Sequence, residues 1–157
     1  KAGRGRHQSD ADRASCGIGM LKGDGKRALI VDDEAPIRNL LAILLQREGY
    51  QVHLASNGIE AVEEWRRTHF DVVIADYRMP ELDGVRLALL GRMLWPETPV
   101  ILLSGEVAFS AEWVREVGTY ACLPKPFATE ELLDLVGRAV TGATGERSSL
   151  ACLGSSQ

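Results

Sequence analysis

The chain has 157 residues, 45% hydrophobic and 25% charged, with a net charge of −4. These values suit one globular domain with short tails and exclude wholesale disorder. The longest apolar run, residues 40–45, is far below the ~18 residues of a membrane span, and no apolar stretch follows the basic N-terminus to make a signal peptide.

A continuously apolar run at 28–31 reads as a parallel strand buried on both faces. Pro36 fits the first turn of the next helix; Ile37, Leu40, Leu41, Leu44 and Leu45 form its apolar face, and Gly49 stops it. At 51–55, Val52 and Leu54 alternate with Gln51 and His53, as in an edge strand. Asn57 caps a helix carrying Ile59, Ala61, Val62 and Trp65. Residues 72–75 and 100–103 read as two more buried strands, separated by a helix at 85–94 that Trp95 and Pro96 end. A fourth helix is expected at 108–117, ended by Gly118, then a strand at 120–123. Thr129 caps a last helix, with Glu130 and Glu131 at its positive end and Leu132, Leu133, Val136 and Val140 as its stripe. Five strand-helix repeats predict an open parallel sheet with helices on both faces.

Charge divides the chain further. Residues 1–26 carry six Lys/Arg, three Asp/Glu and six glycines; residues 142–157 are neutral and rich in Ser and Gly. All nine aromatics lie between Tyr50 and Phe127. The two ends cannot bury enough apolar surface to offset their ordering entropy. They are expected as a disordered basic leader (1–26) and a disordered tail (142–157) around a folded unit at 27–141. That unit holds 11 basic and 18 acidic residues, a net charge of −7. The first residue is not Met, which fits a processed or partial product. Cys16, Cys122 and Cys152 have no CxxC spacing, which argues against a disulfide framework and favours a reducing cytoplasm.

In such folds functional groups gather where strands end. Asp32, Asp33 and Glu34 follow the first strand, Asp76 the third, Ser104 the fourth and Lys125 the fifth. Crowded carboxylates need a counter-ion, and hard oxygen ligands suit Mg²⁺. Asp76 can serve as a nucleophile toward a phosphoryl group. The metal and the lysine then neutralise phosphoryl oxygens, and the serine hydroxyl donates to one of them.

Four motifs carry a family resemblance: residues 29–34 (Leu-Ile-Val-Asp-Asp-Glu), residues 76–84 from Asp76 through Met79, Pro80 and Asp83 to Gly84, residues 102–105 around Ser104, and Lys125-Pro126-Phe127. In this order and spacing, residues 27–141 resemble the response-regulator receiver domain of two-component signalling. The resemblance implies a single doubly wound α/β domain of the flavodoxin-like (βα)5 type, with strand order 2-1-3-4-5. It implies Asp76 as phosphoacceptor, Asp33 as direct metal ligand, Asp32 acting through water, and the backbone carbonyl of Arg78 as a further ligand. The implied cofactor is Mg²⁺, with Mn²⁺ as an alternative. Ser104 matches the switch hydroxyl, Lys125 the phosphoryl-binding lysine, and Pro126 the proline that follows a cis peptide bond.

Two features depart from or vary within that pattern. The family's aromatic switch position is Cys122 here. Strand alternation puts Tyr120 on the same face, where it can partly substitute; the plainer reading is that Cys122 packs as a small hydrophobe. The two lifetime-tuning positions are Arg78 and Glu106, opposite charges that can pair across the mouth and slow self-dephosphorylation. Elsewhere, residues 23–27 lack phosphate-loop spacing, His7, His53 and His69 lack ligand spacing and are expected to be exposed, and Trp65, Trp95 and Trp113 read as packing residues.

The implied function is a phosphorylation-dependent switch in the cytoplasm. It accepts a phosphoryl group from a histidine kinase or phosphotransfer protein, and binds a downstream protein or a second receiver through its fourth helix, fifth strand and fifth helix. It contacts neither nucleic acid nor membrane directly and is no enzyme beyond chemistry on its own Asp76. No output module follows residue 141, so a stand-alone receiver and a piece of a larger regulator both fit. The rivals are a phosphorylation-independent interaction module and an aspartyl-nucleophile phosphatase. Such phosphatases carry a second Asp two residues after the nucleophile, where this chain has Arg78.

Overall fold

A computed structural model describes residues 23–105 and 109–142. Most of the leader, most of the tail, His7, Glu106 and Ala108 lie outside the described residues. The elements are β1 (Arg27–Val31), α1 (Ala35–Arg47), β2 (Gln51–Ala55), α2 (Gly58–Arg67), β3 (Val72–Asp76), α3 (Gly84–Leu94), β4 (Val100–Ser104), α4 (Ala111–Val117), β5 (Ala121–Pro124) and α5 (Thr129–Thr141). All strands are parallel, in the order β2-β1-β3-β4-β5. This is the doubly wound fold expected from the repeats.

Alternation along each strand builds two cores. Ala28, Ile30, Val72, Ile74, Ile101 and Leu103 face α1 and α5. Leu29, Val31, Val73, Ala75, Leu102 and Cys122 face α2, α3 and α4. Each central strand therefore needs apolar residues at every position, which explains runs without alternation.

Several expectations shift. Leu40 and Ile59, read as apolar-face residues, are 55% and 49% exposed. A helix packed on one side of a sheet covers one stripe, and α1 buries Leu41, Ala42 and Leu45. His53, expected to be exposed, is half-buried, edge-on to Phe70 with ring centroids 5.1 Å apart. Helix α4 starts at Ala111, because Ser110 caps it by accepting the Trp113 N–H. Helix α5 is capped at Ala128, not Thr129; Glu131 reaches back to accept the Ala128 N–H. Residues 23–26 form a turn against the end of α1, with the Gly23 N–H donating to the Glu48 carbonyl at 2.8 Å.

Tyr120 and Cys122 do not share a face. Tyr120 is buried with the α1/α5 core and Cys122 with the α2/α3/α4 core. Tyr120 precedes β5, so the pleat's alternation does not reach it. It does not stand in for a ring at position 122.

Candidate functional site at the carboxyl edge of the sheet

Register brings the polar strand ends together. Val31 is level with Ala75, so Asp32 and Asp76 follow side by side. Asp76 is level with Leu103, and Ser104 with Pro124, so Ser104 and Lys125 come next along the same edge. The Lys125 N–H donates to the Ser104 carbonyl at 2.6 Å, locking these two strand ends.

The loops are tied just as closely. The Tyr77 N–H donates to the Leu103 carbonyl at 2.7 Å, and the Tyr77 carbonyl accepts the Gly84 N–H at 3.1 Å. A Cβ at Gly84 would stand 2.3 Å from the Asp76 carbonyl oxygen, so only glycine lets α3 begin there. Asp83 caps α3 by accepting the Arg86 N–H at 2.9 Å. Buried Met79 anchors the loop between them. The peptide bond between Lys125 and Pro126 is cis, as the resemblance implies.

Asp32, Asp33 and Asp76 each direct a carboxylate oxygen to one place, with these atoms within 4.8 Å of one another. Asp32 is buried and Asp33 exposed, so the cluster runs from the interior to the surface. Asp32 Oδ1 accepts the Glu34 N–H at 2.9 Å, and its backbone carbonyl accepts from Arg38 Nη1 at 2.6 Å. Its Oδ2 is buried with no hydrogen-bond partner among the described residues. Burial pushes the Asp32 carboxyl above the ordinary carboxylate range; the Glu34 N–H opposes this, and the Asp76 charge adds to it.

Lys125 Nζ meets Asp76 Oδ1 at 2.8 Å. Burial alone would lower the Lys125 ammonium, but its hydrogen bond to Asp76 and the Asp76, Asp32 and Glu34 charges hold it above the usual lysine value. A cleft of about 460 Å³ opens beside the cluster, lined by Asp33, Tyr77, Arg78, Met79, Pro80 and Asp83. An orphaned buried carboxylate oxygen among three hard-oxygen donors fits a small divalent cation such as Mg²⁺.

The geometry thus gathers Asp32, Asp33, Asp76, Ser104 and Lys125 on one edge, and Arg78 lines the cleft. Glu106 lies outside the described residues. Cys122 is buried in the core below α4. Sequence reasoning missed an aromatic cluster beside Asp76: Tyr77 packs on Phe109 and Trp113, with centroids 5.1 and 6.3 Å away. The i,i+4 spacing of Phe109 and Trp113 is legible in the chain, whereas their meeting with Tyr77 depends on strand order.

Comparison with known proteins bears on the family and the fold. A family profile described as "Response regulator receiver domain" matches residues 28–137. Regulatory protein AtoC of Escherichia coli (strain K12) is 39% identical over 116 residues, 73% of this chain and 25% of AtoC. Response regulator receiver protein Anae109_2439 of Anaeromyxobacter sp. (strain Fw109-5) is 39% identical over 111 residues, 70% of this chain and 47% of that protein. The chain therefore spans less than half the length of these relatives. Among solved structures, Vibrio cholerae chemotaxis protein CheY4 superposes with a TM-score of 0.68 at 33% identity, covering 73% of this chain and 98% of CheY4. Thermotoga maritima response regulator TrrA, solved in complex with Mg²⁺-BeF, gives a TM-score of 0.64 at 33% identity, with coverage of 73% and 98%.

Proposed function

Because the chain belongs to the response regulator receiver family, we propose that Asp76 is its phosphoacceptor, charged from a phosphohistidine on a histidine kinase or phosphotransfer protein. The observation that carries this reading is the setting of one carboxylate. Lys125 Nζ lies 2.8 Å from Asp76 Oδ1, while the Asp32 and Asp33 carboxylates stand within 4.8 Å.

The reaction is a displacement at phosphorus. An Asp76 carboxylate oxygen forms the new P–O bond as the P–N bond to histidine breaks. The imidazole leaves with the bonding pair. Lys125 neutralises one phosphoryl oxygen, and the Ser104 hydroxyl donates a hydrogen bond to another. Asp33 and Asp76 would hold Mg²⁺ directly, with Asp32 helping through water and the Arg78 backbone carbonyl as a further ligand. When bound, the ion supplies positive charge that offsets the crowded carboxylates and the phosphoryl oxygens. The Mg²⁺-BeF complex of TrrA supports magnesium as that ion.

Phosphorylation then biases a two-state surface built from α4, β5 and α5, which binds a downstream protein or a second receiver. Its chemistry is confined to its own aspartate, so no external metabolite is turned over and no nucleic acid or membrane is engaged directly. The working unit is residues 27–141, and a kinase partner places it in the cytoplasm. Among the described residues no helix is long and apolar enough to cross a membrane.

Incubation with Mg²⁺ and acetyl phosphate, followed by intact-mass measurement, tests the reading. One phosphoryl adduct is expected, absent in Asp76→Asn. No adduct under saturating donor would instead identify an interaction module that works without phosphorylation. Release of many equivalents of phosphate would identify a phosphatase.

A further inference from the structure

We propose that Tyr77, Phe109 and Trp113 form a ring-to-ring link that carries a change at Asp76 to the N-terminal turn of α4. The inference rests on the phosphoacceptor reading of Asp76. Tyr77 is the next residue along the chain, and its backbone is fastened on both sides, to Leu103 of β4 and to Gly84 of α3. Its half-buried ring is the part that reaches α4. It lies 5.1 Å from Phe109 at an interplanar angle of 42°, and 6.3 Å from Trp113 at 60°.

Phe109 and Trp113 form a single unit. Their rings stack at 4.2 Å and 18°, on either side of the Ser110 cap, whose hydroxyl accepts the Trp113 N–H at 3.0 Å. A push on one ring therefore moves the first turn of the helix.

The other end of α4 is anchored differently. Arg92 Nη1 of α3 donates to the Glu116 carbonyl at 2.7 Å. Gly118 ends the helix at φ +86°, and a Cβ there would meet Arg92 Cδ at 2.4 Å. That end is tied to α3 by a directional hydrogen bond and close packing, whereas the first turn meets Tyr77 through ring contacts. Val114 and Val117 are its buried residues. Below it, Cys122 supplies only a small side chain in the same core. A seven-residue helix hinged at one end and resting on rings at the other will turn about Arg92 when Tyr77 shifts.

Fluorine NMR of the full chain labelled with 5-fluorotryptophan reads this directly, because Trp65 and Trp95 stack on each other at 4.5 Å and serve as internal controls. With Mg²⁺ and acetyl phosphate, the Trp113 resonance is expected to move while the other two stay. In Phe109→Leu the adduct forms but the Trp113 shift is reduced; Phe109→Tyr, which keeps the ring, and Cys122→Ala retain it in full. A full Trp113 shift in adduct-bearing Phe109→Leu, or its loss in Cys122→Ala, would overturn the link. Adducted wild type with an unmoved Trp113 also overturns the link while leaving the phosphoacceptor reading intact. Wild type without an adduct by mass overturns that reading first.

Discussion

The two edges of the sheet handle charge differently. At the amino edge Asp71 Oδ2 accepts the Arg27 N–H at 2.9 Å, Thr98 donates to the Phe70 carbonyl at 3.1 Å, and Thr119 donates to the Val100 carbonyl at 2.6 Å; the group left unmatched there among the described residues is a neutral one, the buried Tyr50 hydroxyl. At the carboxyl edge three carboxylates share one small space, and a buried oxygen of Asp32 has no partner among the described residues. One edge is built for stability. The other crowds like charges together at some cost in stability.

The sharpest way to break this contrast is at Asp76. Asp76→Asn should abolish phosphorylation from acetyl phosphate, read by intact mass, while removing one of the crowded charges. Lys125→Met comes next. It leaves the Asp76 carboxylate without its ammonium, so we expect a loss of about 1–2 kcal/mol in a partly exposed setting, measured by urea unfolding in chelator, together with impaired response of the Trp113 resonance.

Asp32→Asn should act in the other direction. The folded-state pKa of Asp32 is raised by burial first and by Asp76, so the metal-free fold binds that proton more readily than the unfolded chain. Its penalty is absent below about pH 4, builds as pH rises through the raised value, and is full above it. In chelator at neutral pH, Asp32→Asn should stabilise by about 1 kcal/mol. The gain should vanish in acid, and added Mg²⁺ should stabilise wild type more than the variant. Equal melting temperatures across pH would show that the carboxyl edge carries no such cost.

At the amino edge, Thr119→Val should cost about 1 kcal/mol, seen in thermal melts, and leave adduct formation untouched. The smallest effect is expected at the two lifetime-tuning positions. Replacing Arg78 and Glu106 together with alanine should shorten the phosphorylated lifetime a few-fold, timed by decay of the adduct mass. An unchanged or longer lifetime would remove these two side chains from the account.

Legibility in the sequence followed the physics of each segment. The strands were readable because a strand covered on both faces must be apolar at every position, as Leu29, Ile30 and Val31 are. Asn57 caps its helix through the short side chain that local rules favour, whereas the Ser110 cap that starts α4 three residues later than expected was not read. Misreadings came where burial depends on what lies opposite. Leu40 and Ile59 belong to apolar patterns wider than the face each helix buries, so periodicity could not say which residues stay outside. Tyr120 was placed by an alternation that starts one residue later.

The chain by itself determined the parallel α/β sheet and the set of groups at its carboxyl edge, because both follow from local patterns: apolar runs, helix stops, and the residue types after each strand. Tertiary structure alone decided how those groups meet. Only the register of β1, β3, β4 and β5 sets Lys125 Nζ 2.8 Å from Asp76, leaves Asp32 Oδ2 without a partner, and lays Tyr77 against Phe109 and Trp113. Such contacts join residues 30 to 50 positions apart, and their energies depend on burial and distance, which local composition does not encode.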